Sequence, residues 1–173
     1  MKPKLLVSAC LLGTPCRYDG KSKKNEAVCA LAERFELIPV CPEVLGGLPT
    51  PRTPSERRGA CVVRKDGRDV TAEYRRGAEC ALETARREGV LAAVLKERSP
   101  SCGSGEIYDG TFTGALTAGD GVTAELLKSN GMTVYGEGEQ SLTEFLCSVS
   151  HSTSVFFCAF GARPTCFFTR SII

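Results

Sequence analysis

Apolar and polar positions divide the first 140 residues into short apolar runs alternating with helical repeats. Lys4–Ser8 (KLLVS) is a compact apolar run that opens into small residues, Ala9-Cys10-Leu11-Leu12-Gly13. This predicts a buried strand followed by a site-type loop. Across 25–35, Val28, Leu31, Ala32 and Phe35 recur at helical spacing and predict one apolar face. Glu36–Val40 (ELIPV) reads as a second strand leading into Cys41-Pro42-Glu43. Residues 41–58 carry Pro42, Pro49, Pro51, Pro54, Gly46 and Gly47, which predict a stiff, shaped loop without regular structure.

A helix is expected from Thr71, as N-cap, to Glu88, with Gly89 as its stop. The run 90–95 (VLAAVL) suits a central parallel strand buried on both faces. A further helix starts at Asp120 or Thr123, runs through Leu127 and stops at Gly131, before a last strand over 132–135. Strands alternating with helices predict an α/β fold: a single compact domain, its mostly parallel sheet flanked by helices. Ligands of such sheets bind at the carboxyl ends of the strands. Cys10, Cys41 and Cys102 each follow a predicted strand end, which puts three thiols on one rim. Cys29 and Cys80, within helices, and Cys61, opening the Val62-Val63 run, are expected to be packing residues.

Charge and composition narrow the chemistry. A net charge of +2, with basic residues scattered among acidic ones, gives no polyanion-binding face, so nucleic acid is not expected as a partner. The basic start before Leu5-Leu6-Val7 faintly suggests a signal peptide, but the apolar run breaks at Gly13-Thr14-Pro15. No run reaches the roughly 18 apolar residues of a membrane span. A cytoplasmic protein with reduced thiols is expected, despite ten cysteines. The single histidine, His151, leaves the first 150 residues without an imidazole. Cys-His and Ser-His-Asp catalysis and histidine zinc sites are thereby excluded there.

Residues 141–173 differ in character, holding six of the eight Phe, three Cys and only Glu144, Arg163 and Arg170 as charges. The expected division is a domain over 1–140 and an atypical hydrophobic tail, disordered or loosely packed. A helix or hairpin covering the sheet edge is the alternative.

Three loop thiols suit an iron–sulfur cluster, a zinc ion, or a nucleophile with a resolving partner. No paired C-x-x-C spacing supports structural zinc. A [4Fe–4S] cluster on three cysteines leaves one iron open as a Lewis acid that favours sulfur. Without histidine, proton transfer falls to carboxylates, with Glu43 and Asp19 the candidates. Ser101 is a candidate for substrate contact or catalysis, and Arg17 and Arg52 for substrate binding. Cys16 follows Cys10 at C-x5-C, as a resolving thiol, sulfur acceptor or packed loop residue.

Several ordered motifs then occur together. They are VSACLLG (7–13), CRYDG (16–20), CPEVLGGLPTPR (41–52), SPSCG (99–103) and IYDGTF (107–112), followed by 119–127. Together they closely resemble the 2-thiouracil desulfurase family over roughly 4–138. The resemblance implies a [4Fe–4S] enzyme whose ligands, matched by motif, are Cys10, Cys41 and Cys102. It implies a thiolated pyrimidine or related small thioamide as substrate, its sulfur released as sulfide. The other readings are a cysteine-persulfide sulfurtransferase and a non-catalytic iron–sulfur or zinc sensor.

Overall fold

Alternation along β1 (Lys4–Ser8) sorts the molecule into layers. In the computed structural model, which describes residues 1–156 and side chains only through 149, Leu5 and Val7 join one apolar core and Leu6 another on the opposite face. Beside β1 lie β2 (Glu36–Val40) and β5 (Ala92–Leu95), and β8 (Thr133–Gly136) follows β5. The order is β2-β1-β5-β8 and every pairing is parallel. On the first face, α1 (Glu26–Ala30) contributes Val28 and α5 (Glu139–Phe156) contributes Leu142 and Phe145. On the second, α3 (Thr71–Glu88) brings Leu82 and Ala85, and α4 (Val122–Ser129) brings Ala124 and Leu127. The expected α/β architecture is thus present. None of the described helices is long and apolar enough to cross a membrane.

Three expectations change. The loop predicted over 41–58 contains a short helix, α2 (Pro42–Leu45), and a strand, β3 (Ser55–Arg58). Pro42 sits at the first helical turn, where its missing N–H is no loss. The β3 strand pairs antiparallel with β4 (Cys61–Arg64), and this leaves Cys61 exposed instead of packed. A second hairpin, β6 (Glu106–Tyr108) with β7 (Leu116–Ala118), has strands too short and exposed to give a periodic signal. Thr71 is the first residue of α3 rather than its cap; Val70 takes the cap position, and the Thr71 hydroxyl accepts from Val62 N–H at 2.9 Å. Gly89 does close α3, in the left-handed conformation at φ 67°.

The division at residue 140 also moves. The α5 helix begins at Glu139, and Leu142 and Phe145 belong to the core with Phe35, so the domain continues past that point. The rest of the predicted tail, residues 157–173, lies outside the described residues.

α2 and α3 meet through glycine. A Cβ at Gly77 would fall 1.9 Å from Pro42 O, and one at Gly46 2.0 Å from Glu73 O. This close approach sets where Cys41 and Glu43, at the start of α2, stand against α3.

Candidate metal centre

The chain leaves β1 toward β2 on one side and returns from β2 to β5 on the other, so a crevice opens between the carboxyl ends of β1 and β5. That crevice is a cavity of ≈ 630 Å³. Cys10 enters it from the 3-10 turn Ala9–Leu12 after β1, Cys41 from the residue after β2, and Cys102 from the loop after β5. The three cysteines are brought together as the sequence suggested. All three, and Cys16 beside them, are thiols rather than disulfides.

Each thiol is held by local chemistry. The Ser99 hydroxyl accepts from the N–H of Ser101 (3.1 Å) and of Cys102 (3.2 Å), folding the loop so that Cys102 faces the cavity. Gly103 packs so closely that a Cβ there would lie 2.7 Å from Ile107 and 2.8 Å from Ser99 O. Cys41 sits 3.7 Å from Cys16 O, and the Cys16 thiol hydrogen-bonds with both Cys10 and Cys41. That bond from Cys16, with burial, pushes the Cys41 thiol well above its ordinary range. Burial pushes the Cys102 thiol up to about 12. Cys10, Cys41 and Cys102 thus form an all-sulfur donor set, and thiols bind metal as thiolates.

Among the described residues, no three His, Cys, Asp or Glu side chains converge closely enough to share one metal ion. A cubane takes each thiolate on a different iron and so uses ligands set farther apart. The buried, all-sulfur, histidine-free donor set fits such a cluster.

Glu43 lines the cavity at the start of α2 and pairs with Arg52 at 2.7 Å. Arg52 is nearly enclosed, at 6% side-chain exposure. Three further bonds run from it to Cys16 O (3.0 Å), Pro49 O (3.1 Å) and Thr50 Oγ1 (3.1 Å). It thereby ties Glu43 to its own loop and to the loop that carries Cys16, while also lining the cavity. The buried Tyr74 of α3 also hydrogen-bonds Glu43, and burial, with the Glu43 charge, raises its phenol well above the ordinary value.

Two other candidates stand elsewhere than expected. Asp19 is not among the cavity-lining residues; its carboxylate accepts from Lys21 N–H (3.1 Å) and pairs with Arg17 (3.3 Å). It shapes the Tyr18-Asp19-Gly20 turn. Ser101 is fully buried behind the wall, its hydroxyl 2.9 Å from that of Thr123 and hydrogen-bonded to Cys102. It touches the site through Cys102. Arg17 does line the cavity.

Sequence reasoning missed Ser8, Tyr74, Lys96 and Glu56. Lys96 follows β5 directly and could have been found by the strand-end rule that found the cysteines. It lines the cavity, its ammonium 2.5 Å from Glu137. Glu56 is buried on β3 and accepts from Phe112 N–H at 2.9 Å, and Arg58 donates to Gly110 O at 2.6 Å. These contacts pin the tip of the β6–β7 hairpin beside the cavity, which Tyr108 and Gly114 help to line.

Comparisons with known proteins add a family and two similar proteins. The 2-thiouracil desulfurase family model matches residues 5–139. The uncharacterized protein YbbK of Bacillus subtilis (strain 168) is 44% identical over 145 residues, covering 78% of this chain and 96% of that protein. The solved structure of the [4Fe-4S]-dependent thiouracil desulfidase TudS superposes with a TM-score of 0.80 at 50% identity, covering 86% of this chain and 99% of that one.

Proposed function

The chain belongs to the 2-thiouracil desulfurase family, and from that premise we propose that it removes sulfur from thiouracil or a closely related small thioamide. The protein is an enzyme of the [4Fe–4S]-dependent desulfidase kind. The observation that carries the reading is the meeting of Cys10, Cys41 and Cys102 in one cavity with a carboxylate, Glu43, and no histidine. Those three thiolates would hold the cluster, and a fourth iron left open supplies a Lewis acid with affinity for the substrate's sulfur.

The other parts follow from what each side chain touches. A thioamide is flat and neutral, and the cavity offers it Tyr18, Tyr108, Val40 and Pro42 as apolar surface. Overall, water replaces sulfur at the carbon: a C=S group becomes C=O, and one hydrogen sulfide leaves with the two protons of the water. That balance needs a group to accept a proton from water and return it. Glu43 fills this role, its carboxylate held by Arg52 and Tyr74 on one side and lining the cavity on the other. Arg17 borders the opening and suits substrate contact. Arg52 acts as a positioning residue, and Ser101 supports Cys102 from behind.

The proposed setting is the cytoplasm, where free thiols such as these stay reduced. The partner expected is a small thio-substrate. Turnover of 2-thiouracil by anaerobically reconstituted protein, followed as uracil and sulfide together, tests the reading against the apo-protein. Release of both products only with the cluster is the expected result. Sulfur release by apo-protein would overturn it and move the chemistry from the cluster to the protein's own side chains, among which the Cys16 thiol lies beside Cys10 and Cys41.

A further inference from the structure

Glu56 stands at the second position of β3 and lines the cavity, yet it is only 8% exposed and has no part in the proposed proton transfer. Burying a carboxylate is costly unless its oxygens find donors. One of them does: Oε2 accepts the N–H of Phe112 at 2.9 Å. Oε1 takes no bond from any described residue, and no described Lys or Arg pairs with the carboxylate. Nor is Oε1 sealed in, since among the described residues Arg64 Nε is the one enclosed side-chain polar atom left without a partner. Its open side is therefore the cavity that Glu56 lines. The hairpin tip holds the group from behind. Phe112 takes a left-handed backbone at φ 60°, uncommon for so bulky a side chain, and the Arg58 guanidinium lies 5.6 Å from the centre of its ring while donating to Gly110 O. With Oε2 tied to that tip, the carboxylate keeps Oε1 turned toward the cavity.

We infer that Glu56 is a substrate-binding residue whose Oε1 accepts the ring N–H next to the thiocarbonyl, so that the site selects cyclic thioamides with that N–H unsubstituted. The inference rests on the desulfidase reading and deepens it. The donor that Oε1 lacks within the protein is one that such a substrate carries. A thioamide delocalises its nitrogen lone pair onto sulfur more than an amide does onto oxygen, so its N–H is the stronger donor. Hydrogen bonds to a charged acceptor are among the strong ones. A site built around such an acceptor rejects an analogue that cannot fill it, because the buried group is then left unpaired. The two carboxylates thus divide the work, Glu43 moving the proton of water and Glu56 holding the ring. The oxo product donates more weakly to Oε1 and is held less tightly than the substrate.

Glu56→Gln is the variant that tests it. The amide oxygen can keep the Phe112 N–H, which leaves the amide nitrogen facing the cavity, a donor where the substrate needs an acceptor. Anaerobically reconstituted wild type and Glu56→Gln are compared on 2-thiouracil and on its 1-methyl and 3-methyl derivatives, with iron per chain and thermal unfolding as controls. The expected result is a KM for 2-thiouracil raised about 10–100-fold, the worth of a hydrogen bond to a charged group, with the smaller part of the effect in kcat. In wild type, methylation of the nitrogen that Glu56 reads costs a similar factor, and that derivative is indifferent to Glu56→Gln. A folded, loaded Glu56→Gln protein with the wild-type KM for 2-thiouracil overturns the inference and leaves the desulfidase reading intact. Loaded wild type that does not turn over 2-thiouracil refutes that reading instead, and equilibrium dialysis of 2-thiouracil against the two proteins then decides the inference. Binding weakened about 10-fold or more in Glu56→Gln supports it, and equal or absent binding overturns it. If Glu56→Gln does not fold, the wild type carries the test alone. A KM raised for one methyl derivative and not the other supports the inference, and one KM for all three compounds overturns it.

Discussion

Glu43 owes its place to neighbours that supply opposite kinds of support. Arg52 gives it a charge-assisted bond of 2.7 Å, and Tyr74 gives it a buried hydroxyl. A Glu43→Gln change keeps one oxygen for these partners and removes the capacity to take a proton, together with the charge that Arg52 pairs with. Turnover is expected to fall by ~10²–10⁴-fold, the usual worth of a general base, with iron content per chain unchanged. A steady-state assay beside an iron determination checks both halves. Thiol burial gives a second prediction at this scale. The Cys102 thiol rises from the ordinary 9.0 to about 12 in the folded apo-protein, chiefly through burial. Above pH 9 the unfolded chain releases a proton that the folded chain keeps, so the stability of the apo-protein falls as pH climbs from 9 toward 12. Tyr74, also pushed up by burial, acts in the same direction. Denaturant midpoints measured between pH 7 and 11 should show this loss, and Cys102→Ala should show less of it.

At the scale of elements, a glycine contact fixes the site. Gly77 within α3 costs helix propensity, and by that measure alone Ala would stabilise by ~1 kcal/mol. The added Cβ, however, lands 1.9 Å from the backbone oxygen of Pro42, which no side-chain rotation relieves. Overpacking of this kind costs ~1–3 kcal/mol or more and outweighs the propensity gain. Gly77→Ala is expected to lower the denaturant midpoint and reduce turnover together, since α2 carries Glu43 and follows Cys41. The same contact shows why part of the fold was hard to read. The parallel strands were legible because β1 and β5 are apolar runs with a loop directly behind them. The proline- and glycine-rich stretch over 41–58 looked irregular because α2 has four residues and takes its stability from α3 rather than from its own pattern. Both hairpins have strands of three or four residues, below the length at which alternation is informative. At the other end, Leu142 and Phe145 were grouped with an unusual composition when helical spacing already placed them on one face of α5.

In the whole molecule, three cysteines distant in the chain meet because the parallel sheet brings the carboxyl ends of β1, β2 and β5 to one edge. That much followed from the sequence: Cys10, Cys41 and Cys102 all lie in loops that follow strands, and the strand-end rule needs no knowledge of side-chain contacts. The roles of Arg52 and Ser101 did not follow, since each depends on hydrogen bonds formed between distant segments, whereas Asp19 is held within its own turn by Lys21 N–H. Glu56 was hidden as Arg52 and Ser101 were, its partner Phe112 lying 56 residues away. The central claim is that these three thiols, and no fourth, hold the cluster. Iron and acid-labile sulfide per chain, measured after anaerobic reconstitution of Cys10→Ala, Cys41→Ala, Cys102→Ala and Cys16→Ala, test it most directly. The account predicts loss of the cluster in each of the first three and wild-type content in Cys16→Ala. Full iron and sulfide in any of the first three, or their loss in Cys16→Ala, would contradict it.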